Sequence, residues 1–127
     1  MRLRCSGEPT ENPSWQQVED ALNALDGDTV SFMALDRGAS GGEHIGVGGG
    51  ADDLVLLYWE LPGESSFTAR RPAGDWSEDD EVTMVVAGQE TEVPMYQLID
   101  RSTAVMILRN YFDNGRRSDV VAWHKEY

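Results

Sequence analysis

Apolar positions along this chain fall into two periods, and the switch between them marks out its elements. Trp15, Val18, Leu22 and Leu25 recur at helical spacing and form one stripe, which predicts a helix opening at Ser14. Ser14 stands three residues before Gln17, the spacing of a capping box, in which each side chain satisfies the other residue's free backbone donor. Gly27 is the expected left-handed stop. From Thr29 the period becomes two: Val30, Phe32 and Ala34 point one way, and Ser31, Met33 and Leu35 the other.

Further strands are expected over residues 44–47, 53–60 and 65–71. The segment 53–60, DLVLLYWE, is apolar on both faces, which suits a central strand. A polar stretch, PAGDWSEDDE, leads into EVTMVV, and Gly88-Gln89 is a plausible two-residue hairpin turn into ETEV, which Pro94 closes. A second helix is expected from Asp100, whose carboxylate would cap the first turn, with Ala104, Val105, Leu108, Tyr111 and Phe112 facing inward and Gly115 as its end. The last strand, DVVAWHKEY, places Val121 and Trp123 on one side. The order helix–strands–helix–strand predicts an α+β fold: a mostly antiparallel sheet of about six strands with the two helices packed on one face.

Length and composition refine this picture. The chain has 127 residues, one domain's worth, with 40% hydrophobic and 26% charged residues. Residues 1–13 are polar and contain proline, so they read as a flexible lead-in to a single domain over 14–127. Cys5 is the only cysteine and has no partner for an internal bridge, and no stretch has the apolar run of a signal peptide or membrane span. The expectation is a soluble cytoplasmic protein. The 23 acidic and 10 basic residues give a net charge of -13. Such a surface repels nucleic acid and anionic membranes and steers basic partners toward itself, so neither of the first two is an expected partner.

Candidate chemistry begins with GGEHIGVGGG, residues 41–50, where six of ten positions are glycine. A phosphate-binding loop needs a lysine and a hydroxyl after its last glycine, or a helix whose free amides meet the phosphate. Here Ala51, Asp52 and Asp53 follow, then a strand, and two carboxylates at the glycine exit oppose any phosphate. The glycines read as a strand end and a tight turn that needs positive φ. His44, His124 and Cys5 form no nucleophile–base motif, and with one cysteine and two histidines no usual zinc set exists without recruiting carboxylates. No metal or cofactor is expected.

The segment GDWSEDDE is the sharpest feature: five of the seven residues from Asp75 to Glu81 are acidic, and they surround Trp76. Their alternation resembles the start of a calcium loop, but the sixth and twelfth positions hold Asp80 and Val86 where glycine and glutamate are required. One reading is a solvated loop whose tryptophan folds back onto the core. The other is a partner-binding loop in which Asp75, Trp76, Glu78, Asp79, Asp80 and Glu81 meet a basic cleft, with the tryptophan as anchor.

ALNALDGDTVSFMAL, then HIGVGGG before an aromatic-bearing strand, and YFDNG before a terminal strand carrying VAW, together resemble the first immunity-protein family of bacterial polymorphic toxin systems. The resemblance runs from about Trp15 to Trp123. It implies a small α+β protein without enzymatic activity, encoded beside a toxin that is often a nucleic-acid deaminase, which it binds and neutralises in the producing cell. It supplies no invariant toxin-contact motif, so the contact residues rest on the acidic loop alone. Two other readings stand beside it: a regulatory or small-molecule-binding domain using the glycine turn or a sheet face, and a small hydrolase using carboxylates that the sequence does not single out.

Overall fold

Ser14 opens helix α1 (Trp15–Asn23) with both halves of the capping box formed: its hydroxyl accepts from the Gln17 N–H at 3.2 Å, and the Gln17 side chain accepts from the Ser14 N–H at 2.9 Å. The structure, a computed structural model, describes residues 1–5, 8–36, 43–61 and 65–126. Residues 37–42, with Gly41 and Gly42 of the glycine stretch, lie outside them, as does Tyr127 of the expected last strand. The helix stops at Asn23, short of the expected stop at Gly27. The cause is Asp26, whose carboxylate accepts from the N–H groups of Asp28 and Val30 and from the Thr29 hydroxyl, offering the backbone an alternative to further helix. Those bonds, the one from Val30 foremost, hold the Asp26 carboxyl below the usual carboxylate range. Gly27 takes φ 73° inside this turn rather than at the helix end.

The strands are β1 (Arg2–Arg4), β2 (Thr10–Glu11), β3 (Phe32–Asp36), β4 (His44–Gly49), β5 (Leu54–Leu61), β6 (Ser65–Arg70), β7 (Glu81–Val86), β8 (Gln89–Pro94), β9 (Leu98–Asp100) and β10 (Ala122–Lys125), with α2 (Arg101–Asn114) between the last two. Eight of them form an antiparallel sheet ordered β10-β6-β5-β4-β3-β1-β2, in which β9 shares one edge of β5 with β6; β7 and β8 form a separate hairpin. The class is α+β, but the expected six strands fall short. The start of the supposed lead-in is a sheet strand: Leu3 pairs with Leu35 and is buried between exposed or half-buried arginines.

The central strand β5 is apolar on both faces because both are covered. Val55, Leu57 and Trp59 join Val18, Leu22, Ile107, Leu108 and Tyr111 in the main core under the helices. Leu54 and Leu56 pack on the other face against Met84 and Val93 of the hairpin. Each large apolar side chain fully buried in the main core contributes about 1.5–3 kcal/mol. Trp59 stands edge-on to Tyr111 at 5.1 Å and to Trp123 at 6.2 Å, which closes the core at the β10 end.

The glycine stretch turns the sheet over, as its sequence suggests. Gly49 and Gly50 have φ 86° and 113°, and a short 3-10 turn, Ala51–Asp53, leads into β5. A Cβ on Gly49 would overlap the Met84 sulfur, so this glycine also admits the hairpin. The hairpin turn itself lies one residue earlier than expected, at Ala87 and Gly88, with φ 51° and 82°. Two positive φ values give the twist that matches the strands, and the strained alanine is held by the Ser31 carbonyl, which accepts its N–H at 3.2 Å. Asp100 precedes α2 but does not cap it; its carboxylate faces Arg71 at 3.5 Å. Gly115 ends α2 in the left-handed conformation, φ 67°. Neither helix is long and apolar enough to cross a membrane.

Candidate functional site

Residues 71–80 join β6 to β7, and the short segment Met95–Gln97 clamps this loop at both ends. The Arg71 N–H donates to the Tyr96 carbonyl at 2.8 Å, and the Met95 N–H donates to the Asp80 carbonyl at 2.7 Å. Inside the loop, Ser77 and Asp80 close a turn: the Asp80 N–H donates to the Ser77 carbonyl at 2.9 Å, and the Asp80 carboxylate accepts from the Ser77 N–H at 2.8 Å. Glu78 pairs with Arg70, whose guanidinium lies 5.2 Å over the Tyr96 ring. The loop is therefore built, with two of its carboxylates engaged internally.

Trp76 lies on the loop itself and does not fold back onto the core. It belongs to neither apolar cluster, and its indole N–H donates to the Pro72 carbonyl at 2.7 Å, so the half-buried ring is fixed against its own loop. Asp75, Asp79 and Glu81 are exposed, and among the described residues their carboxylates make no hydrogen bond or ion pair. These groups hold uncompensated negative charge.

The hairpin extends that charge. Strand alternation turns Val82, Met84 and Val93 inward, which sends Glu81, Thr83, Glu90 and Glu92 outward, with Thr83 opposite Glu92 and Val85 opposite Glu90. Same-face neighbours along a strand are about 6.8 Å apart, so Glu90 and Glu92 form a short acidic row beside the loop. Neither was singled out from the sequence, although the alternation in QETEV carries the signal.

Asp53 and the two histidines have structural partners. Asp53 at the glycine exit accepts from Arg101 at 3.0 Å. His44 lies 3.6 Å from Glu60 across β4 and β5 and edge-on to Tyr58, whose hydroxyl is pushed above its usual pKa by burial and, secondarily, by Glu60. The Tyr58 ring fills the space above Gly46, where no side chain could fit. His124 is edge-on to Tyr96, and Cys5 is exposed at the end of β1. Among the described residues no three His, Cys, Asp or Glu side chains are grouped to hold a metal ion. What the arrangement offers chemically is a firm, acidic, partly aromatic surface, suited to binding cations.

No curated protein sequence gives a significant match to the chain. The family comparison gives a different result: the model of immunity protein Imm1 matches residues 6–125, which takes in α1, most of the sheet, the acidic loop and hairpin, and α2. An α+β chain matched over nearly its whole length belongs to the Imm1 family of immunity proteins.

Proposed function

We propose that this immunity protein neutralises one cognate toxin of a polymorphic toxin system by stoichiometric binding in the cytoplasm of the producing cell, without catalysis. The family match over residues 6–125 carries the reading. The acidic loop and hairpin face supply the contact surface, with Asp75, Trp76, Glu78, Asp79, Asp80 and Glu81 joined by Glu90 and Glu92. The toxin on this reading acts on nucleic acid, as a deaminase does. Such an enzyme presents a positive groove to its substrate, and an acidic face that occupies the groove excludes that substrate. A net charge of -13 also speeds encounter with a basic partner. Tight association is required because a few free toxin molecules harm the cell, and nuclease–immunity pairs are among the tightest complexes known.

The test is co-production with the toxin domain encoded beside this protein's gene. Restored growth and co-elution of the two chains support the reading. Growth arrest with both chains soluble and separate refutes it. Reproducible turnover of nucleotides, esters, peptides or glycosides by the purified protein, lost on changing one carboxylate to its amide, refutes the non-catalytic part.

A further inference from the structure

A cleft of about 390 Å³ opens between the acidic loop and the start of α2, with Arg71, Asp75, Trp76, Met95, Asp100 and Thr103 on its walls. We infer that this cleft receives an arginine side chain of the partner, an inference that rests on the immunity reading and names how the partner's basic surface is held. Three observations lead there. The indole of Trp76 has its N–H already bonded to the Pro72 carbonyl, so what it offers a ligand is its ring, and a ring face attracts a cation. The charge in the cleft is unbalanced. Asp75 makes no bond among the described residues, and Asp100 shares its carboxylate only with Arg71 at 3.5 Å, while that guanidinium also donates to the Leu98 carbonyl at 3.1 Å. Two carboxylates against one guanidinium leave one negative charge, which one incoming cation neutralises. The clamps from Tyr96 and Met95 hold the loop in place, so the cleft exists before the partner arrives and little ordering is needed on binding.

Arginine fits these walls better than lysine. Its flat guanidinium stacks on an indole while its edge donors reach a carboxylate, and its apolar stem lies along Met95; an ammonium is a strongly hydrated point charge that does only part of this. An anion is the opposing possibility, because Asp100 leaves the first-turn amides of α2 without a side-chain cap. The carboxylates of Asp75 and Asp100 on the same walls, and the charge of the whole chain, oppose it.

The experiment needs no toxin. The ¹⁵N-labelled protein is titrated with Nα-acetyl-arginine amide, with its lysine and glutamine counterparts, and with inorganic phosphate, following the Trp76 indole resonance assigned by Trp76→Phe. The expected result is a saturable shift with the arginine amide, smaller with lysine and absent with glutamine and phosphate. It should be lost in Asp75→Asn, whose spectrum should otherwise match that of the unaltered protein because the position is exposed. No saturable shift, an equal shift with glutamine, a shift with phosphate, or an unchanged shift in Asp75→Asn each overturns the inference. A protein that neutralises its toxin yet shows no arginine response refutes the cleft and leaves the immunity reading standing.

Discussion

The Arg101 guanidinium donates to the Leu22 carbonyl at 2.5 Å, to the Leu25 and Gly50 carbonyls at 2.8 and 3.0 Å, and to the Asp53 carboxylate at 3.0 Å. One side chain at the start of α2 thus satisfies carbonyls at and beyond the end of α1 and fixes the glycine turn, with its cation where the α1 dipole favours one. The Leu22 and Gly50 carbonyls also accept from the Leu25 and Asp53 N–H groups, so Arg101→Ala strips the last donor mainly from Leu25; it should cost about 1.5–3 kcal/mol in urea unfolding, with Arg101→Lys recovering only part because it lacks the fork. In the acidic loop, the structure separates the neighbouring carboxylates by task. The Asp79 carboxylate has no partner among the described residues, so Asp79→Asn should leave the melting temperature unchanged or raised while slowing association with the toxin. Asp80 holds the Ser77 N–H, so Asp80→Ala should lower stability by about 0.5–1 kcal/mol, since an exposed bond of this kind contributes little more. Trp76→Ala should speed dissociation and weaken binding by about 2 kcal/mol, with a small change in melting, because the ring belongs to neither core.

At the scale of elements, legibility followed locality. The capping box of α1 and the glycine end of α2 are written within a few residues of each other, and both formed as read. The hairpin turn lies one residue before the position its local sequence suggests because what holds Ala87 at positive φ is distant: Ser31, 57 positions from Gly88, accepts the Gly88 N–H on its hydroxyl at 2.9 Å and the Ala87 N–H on its carbonyl. Strands β1, β2 and β9 have three residues or fewer, too short for any period to register, and owe their existence to the strands beside them. The glycine turn was legible in kind, and its further role in admitting Met84 was not. Gly49→Val combines a strained φ with an overlap at the Met84 sulfur and should destabilise by about 2 kcal/mol or more in thermal or urea melts. Binding by the remaining folded fraction should be intact. A stable Gly49→Val protein that no longer binds would move the contact surface to this turn.

For the whole molecule, the sequence displayed the amount of charge but not its arrangement. That Glu78 is taken up by Arg70, that Arg71 pairs with Asp100 on the wall of a cleft, and that Glu90 and Glu92 join the loop are consequences of sheet register and chain crossing, which no local pattern encodes. On the present account an acidic face of fixed shape steers a basic partner, so association should slow steeply as salt rises. Replacing Glu81, Glu90 and Glu92 by glutamine should flatten that dependence while changing dissociation little, since rim charges act mainly on encounter. Stopped-flow mixing with the toxin domain at low and high salt reads both. The most direct test of neutralisation by binding is a titration of that toxin domain's activity with the purified protein. The account predicts a linear loss that reaches zero at one equivalent, with the complex recovered intact. Activity that persists at excess protein, or that disappears at far less than one equivalent, would contradict it.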